Sequence, residues 1–212
     1  MNIDELFSPG GEEKCLVLIE KQRDRLGLWV KCNQIEDAEN DKDLVATYRL
    51  QTVKVAGGAV DLLLFLSQKD ETRYHICYPV RTIFEISVKL SWLATRGIKE
   101  QEDNARGEVL KVAKRFYDVE STDEAKIGFK NFFDKYKRGK EDILTHSVRD
   151  VLPPMWEMLK DLELSEQYFL YRVVCELVHG QYFSHMLYDH EKYRFAQLAH
   201  WHLERILSVL NV

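Results

Sequence analysis

Residues 79–94 read PVRTIFEISVKLSWLA, and apolar side chains occupy nearly every side of this segment when it is drawn as a helix. We predict a helix over 72–95, in which Pro79 either introduces a kink or lies in the first turn of a restarted helix. A helix that is apolar on nearly all sides belongs in the middle of a bundle. The segment therefore predicts an all-α fold arranged around this helix.

The rest of the chain repeats its apolar positions at intervals of three and four residues and shows no convincing strand, which is typical of helices. We predict the other helices over 12–33, 44–68, 99–117, 155–161, 166–178 and 191–210, with a shorter one inside 121–140. Ser165 is placed to act as the N-cap of the helix over 166–178. The prediction is a single-domain helical bundle of six to eight helices, with its core over 12–210 and a short polar tail over 1–11.

Two adjacent glycines, Gly57 and Gly58, interrupt the second predicted helix. Each glycine inside a helix costs about 1 kcal/mol relative to alanine, so some other interaction must offset the loss. We expect a close helix crossing, in which the missing side chains let two backbones approach, and a kink is the alternative.

The composition is that of a globular protein of 212 residues, with 45% hydrophobic and 31% charged residues. The longest stretch without a charged residue, 177–188, has twelve residues, whereas a membrane-spanning helix needs about 20. The first eleven residues contain no apolar leader, and a formal net charge of −5 gives no global attraction for nucleic acid. We therefore expect a soluble cytoplasmic protein with no membrane partner, in which any nucleic-acid binding comes from a local patch.

The cysteines and histidines do not form a metal or redox motif. Cys15, Cys32, Cys77 and Cys175 contain no C-x-x-C pair, and their apolar surroundings predict buried thiols. Five of the seven histidines lie between His179 and His202, but no two of these five are three or four residues apart. Two neighbouring histidines therefore cannot chelate one ion from one helix face, and we predict no metal site and no cofactor.

Two of the most apolar helices each carry one narrow polar stripe. The first stripe is Arg81, Glu85 and Lys89, and the second stripe is Arg172, Glu176 and His179. Spacings of four, seven and eight residues place each set on one helix face. If the stripes point at solvent, they are the solvent-exposed faces of two helices, stabilised by weak ion pairs. If they point at each other, they form an interior polar network that is costly to desolvate and that indicates a function.

The residues of these stripes carry a resemblance. Arg81-x-x-x-Glu85 on an apolar helix, followed by Val178-His179-Gly180, resembles an uncharacterised family of bacterial all-helical proteins with an R-x-x-x-E helix and a late H-G turn. That family in turn resembles the HEPN superfamily, the helical nucleotide-binding domains of higher eukaryotes and prokaryotes, whose signature is an arginine followed four to six residues later by a histidine. Arg172 and His179, with six residues between them, are similar to the longest form of that signature, and the wider resemblance covers about 44–185.

The resemblance implies an HEPN-like fold and a metal-independent endoribonuclease of a toxin or antiphage defence system, acting as a homodimer. It implies that His179 is a general acid or base and that Arg172 holds the scissile phosphate, with Glu176 or Glu85 orienting them and Arg81 in support. Ser184 and His185, just after the H-G turn, are further groups able to bind a phosphate or each other. The alternative for His179 is a residue at a helix end, stabilised there by the helix dipole, with Gly180 as the cap.

A basic segment with interleaved aromatic residues lies over 126–140. Its candidate RNA-binding residues are Lys130, Lys135, Lys137 and Arg138. The alternative is that its aromatic residues form a core stripe at helical spacing, while the lysines lie in solvent on the other faces. The stripe consists of Phe129, Phe132, Phe133 and Tyr136.

Two functional hypotheses remain open from the sequence. One is the HEPN-like ribonuclease, which requires Arg172 and His179 to be accessible to solvent. The other is a non-catalytic helical module, in which the same polar residues fix the packing of helices and the surface binds a protein partner or a nucleotide. The position of the two stripes distinguishes these hypotheses.

Overall fold

A computed structural model describes residues 11–33, 44–68, 75–146, 152–179 and 182–212, and it gives only the backbone for 12 and 182–194. These residues contain eight α-helices and no strand, which confirms the predicted all-α class and helix number. The helices are α1 (Gly11–Cys32), α2 (Leu44–Ser67), α3 (Cys77–Ala94), α4 (Ile98–Val119), α5 (Asp123–Tyr136), α6 (Met155–Asp161), α7 (Tyr168–Val178) and α8 (Tyr182–Leu210).

Two predicted helix starts are wrong. Helix α8 begins at Tyr182, nine residues before the predicted start at 191, because residues 182–190 contain no glycine or proline that would stop a helix. Ser165 does not cap α7: it begins a short 3₁₀ turn, Ser165–Gln167, and its side chain makes no capping hydrogen bond to α7. Pro79 is the third residue of α3 and lies in its first turn, as one of the two interpretations predicted.

The chain divides into two compact units. The first comprises Met1–Asn40, Arg49–Thr95 and Met155–Val212, and the second comprises Asp41–Tyr48 and Arg96–Pro154. The prediction of a single domain over 12–210 stays a prediction, because this division describes how the chain packs and not which parts fold independently.

Helix α3 lies at the centre of the first unit. Twelve of its eighteen residues are buried, and it packs against α6, α7 and α8, while α8 also packs against α1. Trp92 of α3 donates a hydrogen bond of 2.9 Å to the Asp161 carboxylate at the end of α6. Each large apolar side chain buried here stabilises the fold by about 1.5–3 kcal/mol. The burial of α3 and its contacts with three other helices confirm its predicted central position.

Gly57 and Gly58 do not mark a close helix crossing, so that expectation is wrong. A Cβ atom built at either residue meets no other atom within 4 Å. Both glycines instead line an open cleft of about 620 Å³ whose other residues include Leu26, Gly27 and Val53 of α1 and α2. The cost of the two glycines is therefore not offset by closer packing.

The second unit packs α4 against α5. Its core contains Phe133 and Tyr136, which the sequence predicts as core residues, together with Leu110 and Ile143. Phe132, which was predicted in the same stripe, is instead 43% exposed. Phe129 is half-buried and stacks on Phe116 at 5.5 Å between ring centroids, so only half of the predicted stripe is core.

Helix α2 is, within the described residues, long and apolar enough to cross a membrane by length and composition alone. The mean hydropathy of its most apolar 18-residue window is 1.4, and 44% of that window is buried inside the protein. Core helices of soluble proteins meet the same criterion, so a soluble protein is compatible with this finding.

The four cysteines differ in exposure. Cys15 and Cys77 are buried, Cys175 is half-buried, and Cys32 is exposed near the end of α1. Burial raises the pKa of the Cys77 thiol to about 11. The prediction of buried thiols is therefore wrong for Cys32, which lies on the outer side of the last turn of its helix.

Candidate functional site

Arg81, Glu85 and Tyr171 form a hydrogen-bonded network between α3 and α7, here called the Glu85 network. The Arg81 Nε donates to Glu85 Oε1 at 2.9 Å, and the Tyr171 hydroxyl donates to the same oxygen at 3.1 Å. The Arg81 and Glu85 side chains are only 28% and 26% exposed. One carboxylate oxygen thus accepts hydrogen bonds from both helices.

The environment raises the pKa values of two groups in this network, Arg81 and Tyr171. Burial lowers the pKa of the Arg81 guanidinium, but the hydrogen bond and the charge of Glu85 outweigh burial and raise it. Burial raises the pKa of Tyr171, and the neighbouring Cys175 and Glu85 raise it further. Tyr171 is therefore a neutral hydroxyl donor, and the arginine and glutamate form a pair with no net charge.

The side of α7 that faces this network consists of Tyr171, Val174, Cys175 and Val178. These residues follow at intervals of three and four, and Val174 is buried. Arg172, Glu176 and His179 each come one residue later in the chain than a member of this set. One residue is a rotation of about 100° around a helix, so the second stripe turns away from α3.

The second stripe lies in solvent. Arg172 and Glu176 form an ion pair of 3.1 Å, with side chains that are 57% and 40% exposed. Hydrogen bonding to Tyr168 and then to Glu176 raises the pKa of the Arg172 guanidinium. His179 is exposed at the C-cap of α7, and its backbone N–H donates to the Cys175 carbonyl at 3.1 Å. The two stripes therefore do not face each other. Tyr171, which belongs to neither stripe, is the residue of α7 that contacts Glu85.

The side-chain positions of three predicted site residues are not described. Gly180 lies outside the described residues, and for Ser184 and His185 only the helical backbone of α8 is described. Their predicted roles stay predictions.

A groove of about 450 Å³ opens beside the Glu85 network, here called the Arg81 groove. Its lining combines the charged pair with small and apolar side chains of α2, with the start of α3 and with the end of α7. The lining residues are Val55, Gly58, Ala59, Leu62, Tyr78, Pro79, Arg81, Thr82, Glu85 and Val178. The groove thus has two adjacent ionised groups on one side and an apolar surface on the other.

Phe84 connects the network to the core. Its ring centroid lies 5.3 Å from that of Tyr171 and 4.0 Å from that of His202. His202 is fully buried, and neither of its ring nitrogens has a hydrogen-bond partner among the described residues. Burial, assisted by the charge of Arg205, lowers the pKa of His202 to about 3. His202 is therefore a neutral aromatic residue of the core.

The candidate RNA-binding residues do not form a uniformly basic surface. Lys130 and Lys135 are exposed, and the Lys135 ammonium lies 5.4 Å from the centroid of the Tyr136 ring. Lys137 forms an ion pair with Asp134, and Arg138 is near Asp103 and Glu102. Neighbouring carboxylates therefore offset the positive charge of two of the four residues, which weakens the case for a phosphate-binding patch.

Sequence reasoning did not identify Tyr171, Tyr78 or His202. Tyr171 was hidden among the apolar residues of α7, although a hydroxyl at a core position needs a partner and so was a usable signal. Among the described residues, no three His, Cys, Asp or Glu side chains are close enough to hold a metal ion. Comparison with protein-family models, with curated proteins and with solved structures found no match.

Proposed function

We propose that the chain is an HEPN-like, metal-independent endoribonuclease of a bacterial toxin or antiphage defence system, acting in the cytoplasm as a homodimer. The observation that supports this proposal best is that Arg172 and His179 are both exposed on one face of α7. A nuclease needs these groups to reach a phosphodiester, and a buried position would have removed the basis of the hypothesis.

The chemistry assigned to these residues is transfer of the phosphoryl group to the neighbouring ribose oxygen. The 2′-oxygen forms a bond to phosphorus while the bond from phosphorus to the leaving 5′-oxygen breaks, which gives a cyclic phosphate and a 5′-hydroxyl end. His179 takes the proton of the 2′-hydroxyl or gives one to the 5′-oxygen, since an imidazole serves as general base or general acid at neutral pH. Arg172 stabilises the charge on the phosphate, and Glu176 orients the guanidinium at 3.1 Å.

A second copy of the chain supplies the opposite wall of a phosphate-binding site around Arg172 and His179. Within the described residues, Arg172 and His179 line neither the 620 Å³ cleft nor the Arg81 groove. Two such faces meeting around a two-fold axis enclose the phosphate between paired arginines and histidines, one histidine serving as base and the other as acid. The homodimer is therefore part of the proposal.

The test is cleavage of single-stranded RNA by the purified protein in EDTA. We expect the parent to cleave, and Arg172→Ala and His179→Ala to lose at least 100-fold in rate while keeping the helical circular dichroism of the parent. Arg23→Ala is the matched control, because Arg23 is also an exposed arginine beside a carboxylate, Asp24. A parent without activity, or variants as active as the control, would contradict the proposal.

The second candidate is a non-catalytic module that binds a nucleotide or a protein partner. The observation in its favour is the Arg81 groove, where the charged residues of the first stripe meet an apolar surface. Under this candidate the parent does not cleave RNA.

A further inference from the structure

The Arg81 groove has the chemistry of a pocket for one flat heterocycle. We propose that it binds an unpaired nucleobase of the RNA, and this assignment rests on the proposed function for its place in the reaction. Val178 lines the groove and His179 follows it in the chain, so the groove and the proposed catalytic histidine share the end of α7.

The groove places hydrogen-bond donors beside an acceptor. The Arg81 Nε and the Tyr171 hydroxyl both donate to Glu85 Oε1. Among the described residues, Glu85 Oε2 and the two terminal nitrogens of Arg81 have no hydrogen-bond partner. The groove thus presents N–H donors directly beside a carboxylate acceptor. The Watson–Crick edge of a nucleobase has the complementary pair, an acceptor beside an N–H donor, and proteins read unpaired bases by that edge.

The charges in the groove are balanced. Arg81 and Glu85 neutralise each other, so the groove has no excess positive charge with which to hold a phosphate. A neutral heterocycle keeps this ion pair intact and uses only its outer atoms. The pair therefore favours a base over an anion as the occupant.

The size and the surface of the groove suit a flat ring. A groove of about 450 Å³ lies within the range of about 300–1,000 Å³ that is usual for small-molecule sites. Tyr78 lines the groove with its side chain 46% exposed, which offers an aromatic face for stacking. Val55 and Leu62 of α2 are also partly exposed and give the groove an apolar wall. A flat ring buries these surfaces while its edge reaches Arg81 and Glu85.

The experiment is calorimetric titration of the full chain with adenosine, guanosine, cytidine and uridine, which carry a base but no phosphate. We expect at least one nucleoside to bind, and Tyr78→Ala and Glu85→Gln each to weaken its binding at least tenfold. Asp118→Asn is the matched control, because it makes the same carboxylate-to-amide change in an exposed ion pair, with Lys114, and lies outside the groove and the proposed catalytic residues. Tyr78→Ala alters a half-exposed residue, so it tests the groove even if Glu85→Gln fails to fold.

Each outcome decides separately between this proposal and the proposed function. If the parent binds no nucleoside, or if binding survives both groove variants, the nucleobase proposal is overturned even when the protein cleaves RNA. Displacement of the nucleoside by inorganic phosphate would overturn it as well, since the groove would then be an anion site. Nucleoside binding that is unchanged in a cleavage-deficient Arg172→Ala variant supports the nucleobase proposal. If the parent binds a nucleoside but does not cleave RNA, the proposed nuclease function is overturned and the nucleobase proposal is retained.

Discussion

The Glu85 network and the second stripe contain the same arrangement, an arginine and a glutamate four residues apart on a helix, in two different environments. The N–O distances are 2.9 Å for Arg81–Glu85 and 3.1 Å for Arg172–Glu176, yet the first pair is about half as exposed as the second. The first pair also receives a hydroxyl from a neighbouring helix and lines a groove. An identical spacing therefore says little about the role of an ion pair, whereas the residues packed around it decide that role.

The largest expected effect is a difference in the free energy of unfolding between the variants Glu85→Ala and Glu176→Ala. Glu85→Ala leaves the half-buried Arg81 and the Tyr171 hydroxyl without their acceptor, which costs about 1–3 kcal/mol of the free energy of unfolding. Glu176→Ala removes an exposed pair worth a few tenths of a kcal/mol. Urea unfolding of both variants at pH 7.5 measures the difference. Equal losses would mean that the two environments do not differ in energy.

The second prediction extends the buried side of the comparison to His202, which contacts Phe84 behind the network. The pKa of His202 is about 3 in the folded protein and about 6.5 for an ordinary histidine, so the unfolded chain binds the proton first as the pH falls. Stability is therefore complete above about pH 6.5 and falls by about 1.4 kcal/mol per pH unit below it, down to about pH 3. The free energy of unfolding at pH 7.5 and 5.5 measures this loss.

His202→Phe is the control for that loss, because phenylalanine fills the space and does not titrate. We expect it to reduce the fall in stability between pH 7.5 and 5.5 by about 1.4 kcal/mol. Half-buried His200, whose pKa is lowered by burial, contributes a residual loss of the same sign. An unchanged pH dependence in His202→Phe would show that other groups cause the acid sensitivity.

The third prediction compares two tyrosines of α7. Tyr171→Phe removes the hydroxyl that α7 donates to Glu85, and we expect a loss of about 0.5–1.5 kcal/mol by urea unfolding. Tyr168, whose side chain lies near the exposed Arg172, supplies the matched variant Tyr168→Phe, for which we expect less than about 0.5 kcal/mol. If Tyr168→Phe lost more stability than Tyr171→Phe, the assignment of Tyr171 to the face of α7 that packs on α3 would be wrong.

The smallest expected effect is the salt dependence of the exposed pair. A double-mutant cycle on Arg172 and Glu176 should give a coupling energy of about 0.3–0.5 kcal/mol at low salt, and this coupling should vanish near 1 M NaCl. The same cycle on Arg81 and Glu85 should keep most of its coupling, since half-buried charges are screened less. Equal screening of both pairs would remove the distinction between them.

Helical periodicity and breakers were sufficient to predict the helix class, the number of helices and the central position of α3. These properties depend on where apolar residues recur along the chain, which one sequence displays. The recurrence of apolar residues does not specify the relative rotation of two packed helices. A rotation of one residue on α7 brought Tyr171 to Glu85 and turned Arg172 to solvent, and the charged residues alone gave no sign of it.

Gly57 and Gly58 show a second limit of the sequence. A pair of glycines in a helix predicts a close approach only if a neighbouring backbone is present, and that neighbour is supplied by the tertiary structure. Here both positions face open space. The structure shows that both glycines line the 620 Å³ cleft and that Gly58 also lines the Arg81 groove. Packing therefore does not explain why their cost in helix propensity is tolerated.

The exposure of Cys32 has a practical consequence for labelling. Cys15 and Cys77 are buried, and the raised pKa of Cys77 keeps that thiol protonated, so a maleimide reacts with Cys32 ahead of either. A fluorophore attached at this position, which belongs to neither stripe and does not line the Arg81 groove, reports on rotational diffusion. The native sequence therefore already contains a handle for measuring, by fluorescence anisotropy, whether two copies of the chain assemble on RNA.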